Sequence, residues 1–257
     1  ASLAGAGTAG ELPGGAFVFN SRATITGICR HAITGEPLAG VEIMAHYPDG
    51  WGDPSPASDN IVPGADGRFT ISIDSGEYYL NHLGPTAMYR AGWYDNAALW
   101  PEADPLTVWA GNTYTVNFTI YPKLGTIFRF YNFKNNTHFF TDSVPEAQHV
   151  LATWPNVFNY EGFAYLTDPA TDTYPLYRFY NMVSQSHFYT ASAVERDRVI
   201  ATWPKIFHYD GPTYPVTPFP APGKTAVYRF YNVRNGSHFY TASAAERDHV
   251  IATWPDI

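Results

Sequence analysis

One block of sequence occurs three times in this chain. IFRFYNFKNNTHFFTDSVPEAQHVLATWPNV begins at Ile127, LYRFYNMVSQSHFYTASAVERDRVIATWPKI at Leu176 and VYRFYNVRNGSHFYTASAAERDHVIATWPDI at Val227. The second and third copies agree at 23 of 31 positions, and the first and second at 14 of 31. Chance does not produce such agreement. The starts lie 49 and 51 residues apart, the extra two falling in the connector GPTYPVTPFPAPGKT. A fixed period of this size means one supersecondary unit repeated, with a core that forms only when the copies pack together.

Each unit reads locally as a hairpin, a helix and a returning strand. Tyr177–Asn181 and His187–Thr190 are short aromatic strands around a polar turn. Ser192 and Glu195 stand at capping-box spacing, as do Ser143 with Glu146 and Ser243 with Glu246. A helix of two to three turns follows and stops at Pro204, and Phe207–Gly211 and Tyr214–Val216 return as extended segments. The helix faces Val150, Leu151, Trp154; Val199, Ile200, Trp203; and Val250, Ile251, Trp254 are expected to be buried together, with the tryptophans in a shared interior. Three such units predict a pseudo-threefold, mostly β assembly with one short helix per repeat. A β-trefoil-like domain is the expected form, because a closed barrel leaves no strand edge exposed. The third copy ends at Ile257, where FHYDGPTYPV follows in the second. Either the polypeptide is cut there or its last strands come from elsewhere; in the second case the unpaired backbone groups of a missing strand would join a homo-oligomer through strand pairing.

Composition supports short strands throughout. Aromatic residues make up 17% and charged residues 15%, with 21 Gly and 21 Pro. The expected organisation is a flexible segment over 1–21, an immunoglobulin-like β-sandwich over 22–122 and the repeat domain over 123–257. The repeats themselves run 127–175, 176–226 and 227–257, the last incomplete. In the first half, residues 23–31 and 41–47 alternate apolar and polar positions around the turn cluster at 34–40. Asp66-Gly67 and Ser75-Gly76 each introduce a further strand, and Leu106–Ile120 reads as two strands around Ala110-Gly111-Asn112.

Residues 1–122 hold 4 basic and 12 acidic residues, a net of −8, and residues 123–257 hold 11 of each. Neither half has the positive excess that nucleic acid requires. No apolar run is long enough to insert in a membrane. The opening at Ala1 with a small-residue stretch reads as a mature N-terminus after export, and a secreted or cell-surface location is expected. Cys29 is the sole cysteine and sits in a strand pattern as a small buried hydrophobe.

Two resemblances follow from these residues. The run ITG…TGEPLAGVEI…DGRFTISI…GEYYL resembles the carboxypeptidase regulatory-like and Cna-B-type domains of exported bacterial proteins. Cna-B-type domains often carry a Lys–Asn isopeptide crosslink, and the absence of lysine from residues 1–122 excludes it here. The Y-R-F-Y-N…H-F-Y-T…E-R-D signature resembles a bacterial and fungal repeat family of unassigned function found in secreted or surface proteins. That resemblance implies a location and a binding role and brings no established active site.

Arg178, Tyr180, His187 and Tyr189 share one parity in their two strands, so one face of the hairpin should show all four. Their equivalents are Arg129, Tyr131, His138 and Phe140, and Arg229, Tyr231, His238 and Tyr240. Aromatic faces stack on sugar rings while Arg and His donate to hydroxyls, so a glycan or cell-wall polysaccharide is the expected ligand. The competing reading makes these residues structural, with each Arg paired to the Glu of its own repeat.

No cofactor and no metal site is expected. His138, His187 and His238 could meet on the axis as a zinc site, but no carboxylate partner recurs beside them. Asp49, Asp53, Asp59, Asn60 and Asp66 match no calcium-loop spacing, and a solvated acidic loop explains them better. Trp93, Tyr94, Trp100 and Trp109 are best explained by core packing. No nucleophile elbow, H-E-x-x-H, P-loop or dinucleotide fingerprint occurs, and no enzyme is expected. The sequence therefore predicts a non-catalytic carbohydrate-binding protein. The alternative is a self-assembling surface or filament protein completed by strand exchange between subunits.

Overall fold

The computed structural model describes residues 10–11, 17–18, 22–48, 55–99 and 102–255. It begins with Gly10–Glu11 (β1) paired antiparallel with Phe17–Val18 (β2). Ala16, Phe19 and Asn20 lie outside the described residues, as do Asp49, Asp53 and Trp100.

Strict alternation makes Arg22–His31 (β3) a strand with one buried face. Ala23, Ile25, Gly27 and Cys29 are buried, while Thr24, Thr26 and Ile28 between them are partly exposed. Next come Glu42–His46 (β4), Arg68–Asp74 (β5), Gly76–Leu83 (β6), Gly92–Trp93 (β7), Leu106–Val108 (β8), Thr113–Thr115 (β9) and Phe118–Ile120 (β10). One sheet sets β5 antiparallel and β9 and β10 parallel to β3; the other sets β4, β7 and β8 antiparallel to β6. Their inward residues, among them Ile25, Ile43, Ile71, Leu80, Val108 and Ile120, form one core. The predicted second strand of 106–120 is interrupted at Val116-Asn117, where the Asn117 side chain accepts from the Ile28 amide at 3.1 Å. Gly27 faces this interruption, and a Cβ there would strike the Val116 carbonyl oxygen. Trp93 packs on His46, but Trp109 is 64% exposed and so is not the core residue expected.

The second compact unit begins at Leu124. Its first repeat runs Thr126–Asn132 (β11), Thr137–Thr141 (β12), Val144–Thr153 (α1) and Phe158–Leu166 (β13). The second runs Tyr174–Asn181 (β14), Ser186–Thr190 (β15), Ala193–Thr202 (α2) and Phe207–Val216 (β16). The third runs Tyr228–Asn232 (β17), Ser237–Thr241 (β18) and Ala244–Thr253 (α3). The hairpin turns close by one device in all three copies. The side chain of Asn132, Asn181 or Asn232 accepts from the amide two residues on, at 2.9 Å each time. The turn then ends on a left-handed residue, Asn136, Gln185 or Gly236.

The all-β architecture with one helix per repeat is as expected, but among the described residues no barrel closes. β12-β11-β13 and β15-β14-β16 are separate three-stranded sheets, and β17-β18 is a two-stranded one. β12, β15 and β18 touch one another and so lie innermost. Phe140, Tyr189 and Tyr240 meet there edge to face, with ring centroids 5.5–6.1 Å apart.

The helices are half as the sequence suggested. Ser143, Ser192 and Ser243 each accept from the amide three residues on, at 3.1–3.2 Å. The reciprocal half of the capping box is absent, because the serine amide donates to the Thr141, Thr190 or Thr241 hydroxyl instead. Of the predicted buried faces only Val150 and Val199 are fully covered. Trp154, Trp203 and Trp254 are 44%, 39% and 48% exposed, which overturns the shared tryptophan interior. The reason is their position at the helix C-cap: each indole leaves the helix axis with the chain that turns away toward the following proline.

Candidate functional site

The face predicted from strand parity exists. Arg178 lies opposite Tyr189 and Tyr180 opposite His187 across β14 and β15, and the other two hairpins repeat the register. The face meets the neighbouring repeat. Arg178 makes a two-pronged pair with Glu146 of the first repeat at 2.9 and 3.0 Å, while its Nε reaches Asp210 of its own third strand at 3.1 Å. Arg229 takes Glu195 of the second repeat at 2.8 Å. Arg129 takes Glu246 of the third at 3.1 Å and Glu161 of its own repeat at 2.7 Å. Each arginine therefore pairs with the glutamate of the preceding repeat, and Arg129 closes the circle. The competing reading paired each arginine with the glutamate of its own repeat; the pairing runs instead to the preceding repeat, since the helix start of one repeat abuts the hairpin of the next.

The histidines follow the same circular order. His187 packs on Phe139 with centroids 4.9 Å apart, His238 on Phe188 at 4.6 Å and His138 on Phe239 at 5.3 Å. Burial, then the adjoining arginine, lowers all three histidines to about 4, so they are neutral at ordinary pH. Burial acts to raise Glu146, but hydrogen bonds from Arg178 and Thr141 outweigh it and leave the carboxyl below its ordinary value. Among the described residues no group of three or more metal-ligating side chains comes together.

Tyr189 and Tyr240 are in the core, which removes their rings from any stacking surface. The Tyr189 hydroxyl donates to the Phe140 carbonyl oxygen at 2.9 Å and accepts from the Phe140 amide at 3.0 Å. Tyr131 and Tyr180 are half-buried beside their histidines, and among the predicted tyrosines Tyr231 alone is exposed, at 53%. Parity identified the face correctly; only the threefold arrangement shows what covers it.

The open aromatic surface lies elsewhere. Trp154, Trp203 and Trp254 are fixed by a main-chain bond from the tryptophan amide to the carbonyl four residues back, at 2.9–3.0 Å. Beside them stand His149, Arg198 and His249, at 5.4, 6.0 and 5.7 Å from the indole. These basic residues occupy one repeat position, a signal visible in the alignment of the copies. Cys29 is enclosed, and burial pushes its thiol up to about 12, so it is no nucleophile.

These features define an all-β protein whose repeat unit is a ring of three copies locked by arginine–glutamate pairs. The chain belongs to the DUF5648 family, described as a domain of unknown function, which residues 116–256 match. No curated protein matches it. Among solved structures, a DUF3823 family protein from Parabacteroides merdae shares 20% identity over 43% of this chain and 51% of that one, with a TM-score of 0.25. BcpA, the major pilin subunit of Bacillus cereus, shares 14% over 42% and 31%, with a TM-score of 0.28. A DUF3823 family protein from Bacteroides uniformis shares 13% over 85% and 96%, with a TM-score of 0.30. The chain thus spans about half of the first of these and about a third of the second.

Proposed function

We propose that this is a non-catalytic binding protein, secreted or at the cell surface, that takes carbohydrate through three equivalent tryptophan surfaces. The observation that carries the reading is the exposure of Trp154, Trp203 and Trp254, each about half open and each held by the same helix cap. A rigid, amphipathic ring face suits the apolar face of a sugar, and a histidine or arginine beside it supplies a donor to hydroxyls. Burying three indoles in one shared core would have been the cheaper use of them, yet the fold keeps all three outside. Three equal surfaces on one rigid body also suit a repeating polymer, because linked weak contacts raise the effective concentration of the next one.

The test is retention on a panel of insoluble wall, plant and host polysaccharides, together with a glycan array. The wild-type chain should bind a subset, single Trp→Ala variants should weaken that binding, and the triple variant should abolish it. No binding to any polysaccharide, or undiminished binding by the triple variant, refutes the reading.

A further inference from the structure

The junctions between repeats differ near the axis. Tyr189 sends its hydroxyl to the main chain of Phe140, and Tyr240 sends its own to that of Tyr189. Where the third repeat meets the first, Phe140 has no hydroxyl to send to Tyr240. Two further polar groups are lost at the same junction. Ala164 stands where Thr213 donates to the Leu176 carbonyl oxygen at 3.0 Å, and Ala242 stands where the Asp142 charge acts on Tyr214. A cavity of about 190 Å³ lies there, between Arg129, Phe140, Phe163, Tyr240 and Glu246. Its walls come from β11, β12, β13, β18 and the turn into α3, and no residue of β17 lines it.

These walls select an uncharged, hydroxyl-rich occupant. Arg129 stands between two carboxylates, 2.7 Å from Glu161 and 3.1 Å from Glu246. The guanidinium repels a cation and the two acids repel an anion, so either charge meets its own sign. Each carboxylate keeps lone pairs beyond those the arginine takes, and these accept from further hydroxyls. By the register of the other two junctions, the Tyr240 amide and carbonyl offer one donor and one acceptor to a single hydroxyl. Phe140 and Phe163 supply an apolar wall for the face of a sugar ring. The cavity equals the liquid share of about six waters, which leaves room for one such ring in their place.

From this we infer that the junction of the third repeat with the first is a pocket for one uncharged hexose unit. One sugar hydroxyl takes the place of the absent tyrosine hydroxyl on Tyr240, and its neighbours donate to Glu161 and Glu246. At the other two junctions the hydroxyls of Tyr189 and Tyr240 occupy the equivalent place, so the three-repeat unit carries this site once. The site stands apart from the tryptophan surfaces and does not depend on them.

The probes are the methyl glycosides of glucose, galactose and mannose, titrated into the whole chain and followed by ligand-observed NMR and by thermal unfolding. Saturable one-to-one binding of at least one probe, with a higher melting temperature, is expected. Phe140→Tyr places a hydroxyl in the pocket and should weaken that binding at least tenfold while melting no lower than the wild type. Ala164→Thr, which restores the residue of the second repeat, fills the pocket independently and should weaken binding too. The matching uronic acid should bind at least tenfold more weakly than the neutral sugar. The triple Trp→Ala variant should bind the probe as the wild type does, which separates this site from the tryptophan surfaces. Absence of saturable binding by all three probes, or undiminished binding by both pocket variants, overturns the inference. So does equal binding of the uronic acid, or loss of the probe in the triple tryptophan variant.

Discussion

The Tyr240 hydroxyl bridges the main chain of Tyr189, donating to its carbonyl oxygen and accepting from its amide, both at 2.8 Å. Tyr189 treats Phe140 in the same way. Phe140 has no hydroxyl, so the third link, from the first repeat to Tyr240, is not made. A cavity of about 190 Å³ adjoins Phe140 and Tyr240.

Phe140→Tyr should therefore complete the circle. Two added hydrogen bonds in a buried place are worth about 1–2 kcal/mol together. The melting temperature of the repeat unit should rise, and a fall would show that the cavity cannot admit the hydroxyl. The converse change, Tyr189→Phe, leaves the Phe140 amide and carbonyl without their partner and should cost about 1–3 kcal/mol. Denaturant titration of the two variants measures both.

The arginine–glutamate pairs should not be equal. Arg178 is well covered, is bidentate to Glu146 and also holds Asp210. Arg178→Ala should cost about 3 kcal/mol, because it strands two carboxylates in a partly enclosed site. Arg229 is more open and holds only Glu195 among the described carboxylates, so Arg229→Ala should cost about 1 kcal/mol or less. Equal losses would mean that burial does not govern these pairs.

Stability of the repeat unit should fall on acidification. His138, His187 and His238 titrate near 4 when folded and at 6.5 when unfolded. A depressed histidine stabilises the fold fully above the unfolded value; between about 6.5 and 4 the unfolded chain binds more protons, and that stability is lost. Each histidine contributes a slope of up to about 1.4 kcal/mol per pH unit. Melting temperature should decline steadily from pH 7 to pH 4.5, and His187→Gln should flatten the decline. A level profile across that range would sink the claim.

Trp203→Ala offers a check on the tryptophans. For a fully buried indole the cost is about 3–5 kcal/mol. With 39% exposure at a helix cap it should be about 1 kcal/mol. Thermal melting gives the cost, and polysaccharide retention of the same variant reports the binding role.

Local chemistry was legible in the sequence wherever one repeat contains its own cause. The alternation of β3, the serine caps and the Arg178, Tyr180, His187, Tyr189 face all follow from spacing within a few residues. What lay beyond the sequence was partner choice between copies. Arg178 has identical-looking glutamates at Glu146, Glu195 and Glu246, and no spacing argument selects the first. The tryptophans misled for a related reason. Helical periodicity places Trp203 with Val199, but it does not say that the cap ends the helix before the indole can turn inward.

The pairing of Arg129 with Glu246 joins positions 117 residues apart, and it makes the repeats a ring instead of a row. A row can gain or lose a copy at either end, as stacked solenoid arrays do. A ring has a fixed census. Deleting or duplicating one copy leaves an arginine and a glutamate facing the wrong angle, so the copy number is locked by geometry. The ring also sets an order of events during synthesis: the first repeat must wait with its arginine unpaired until the third has emerged. Folding of this unit is therefore late and all at once, with the cost of a long loop closure met at the final step.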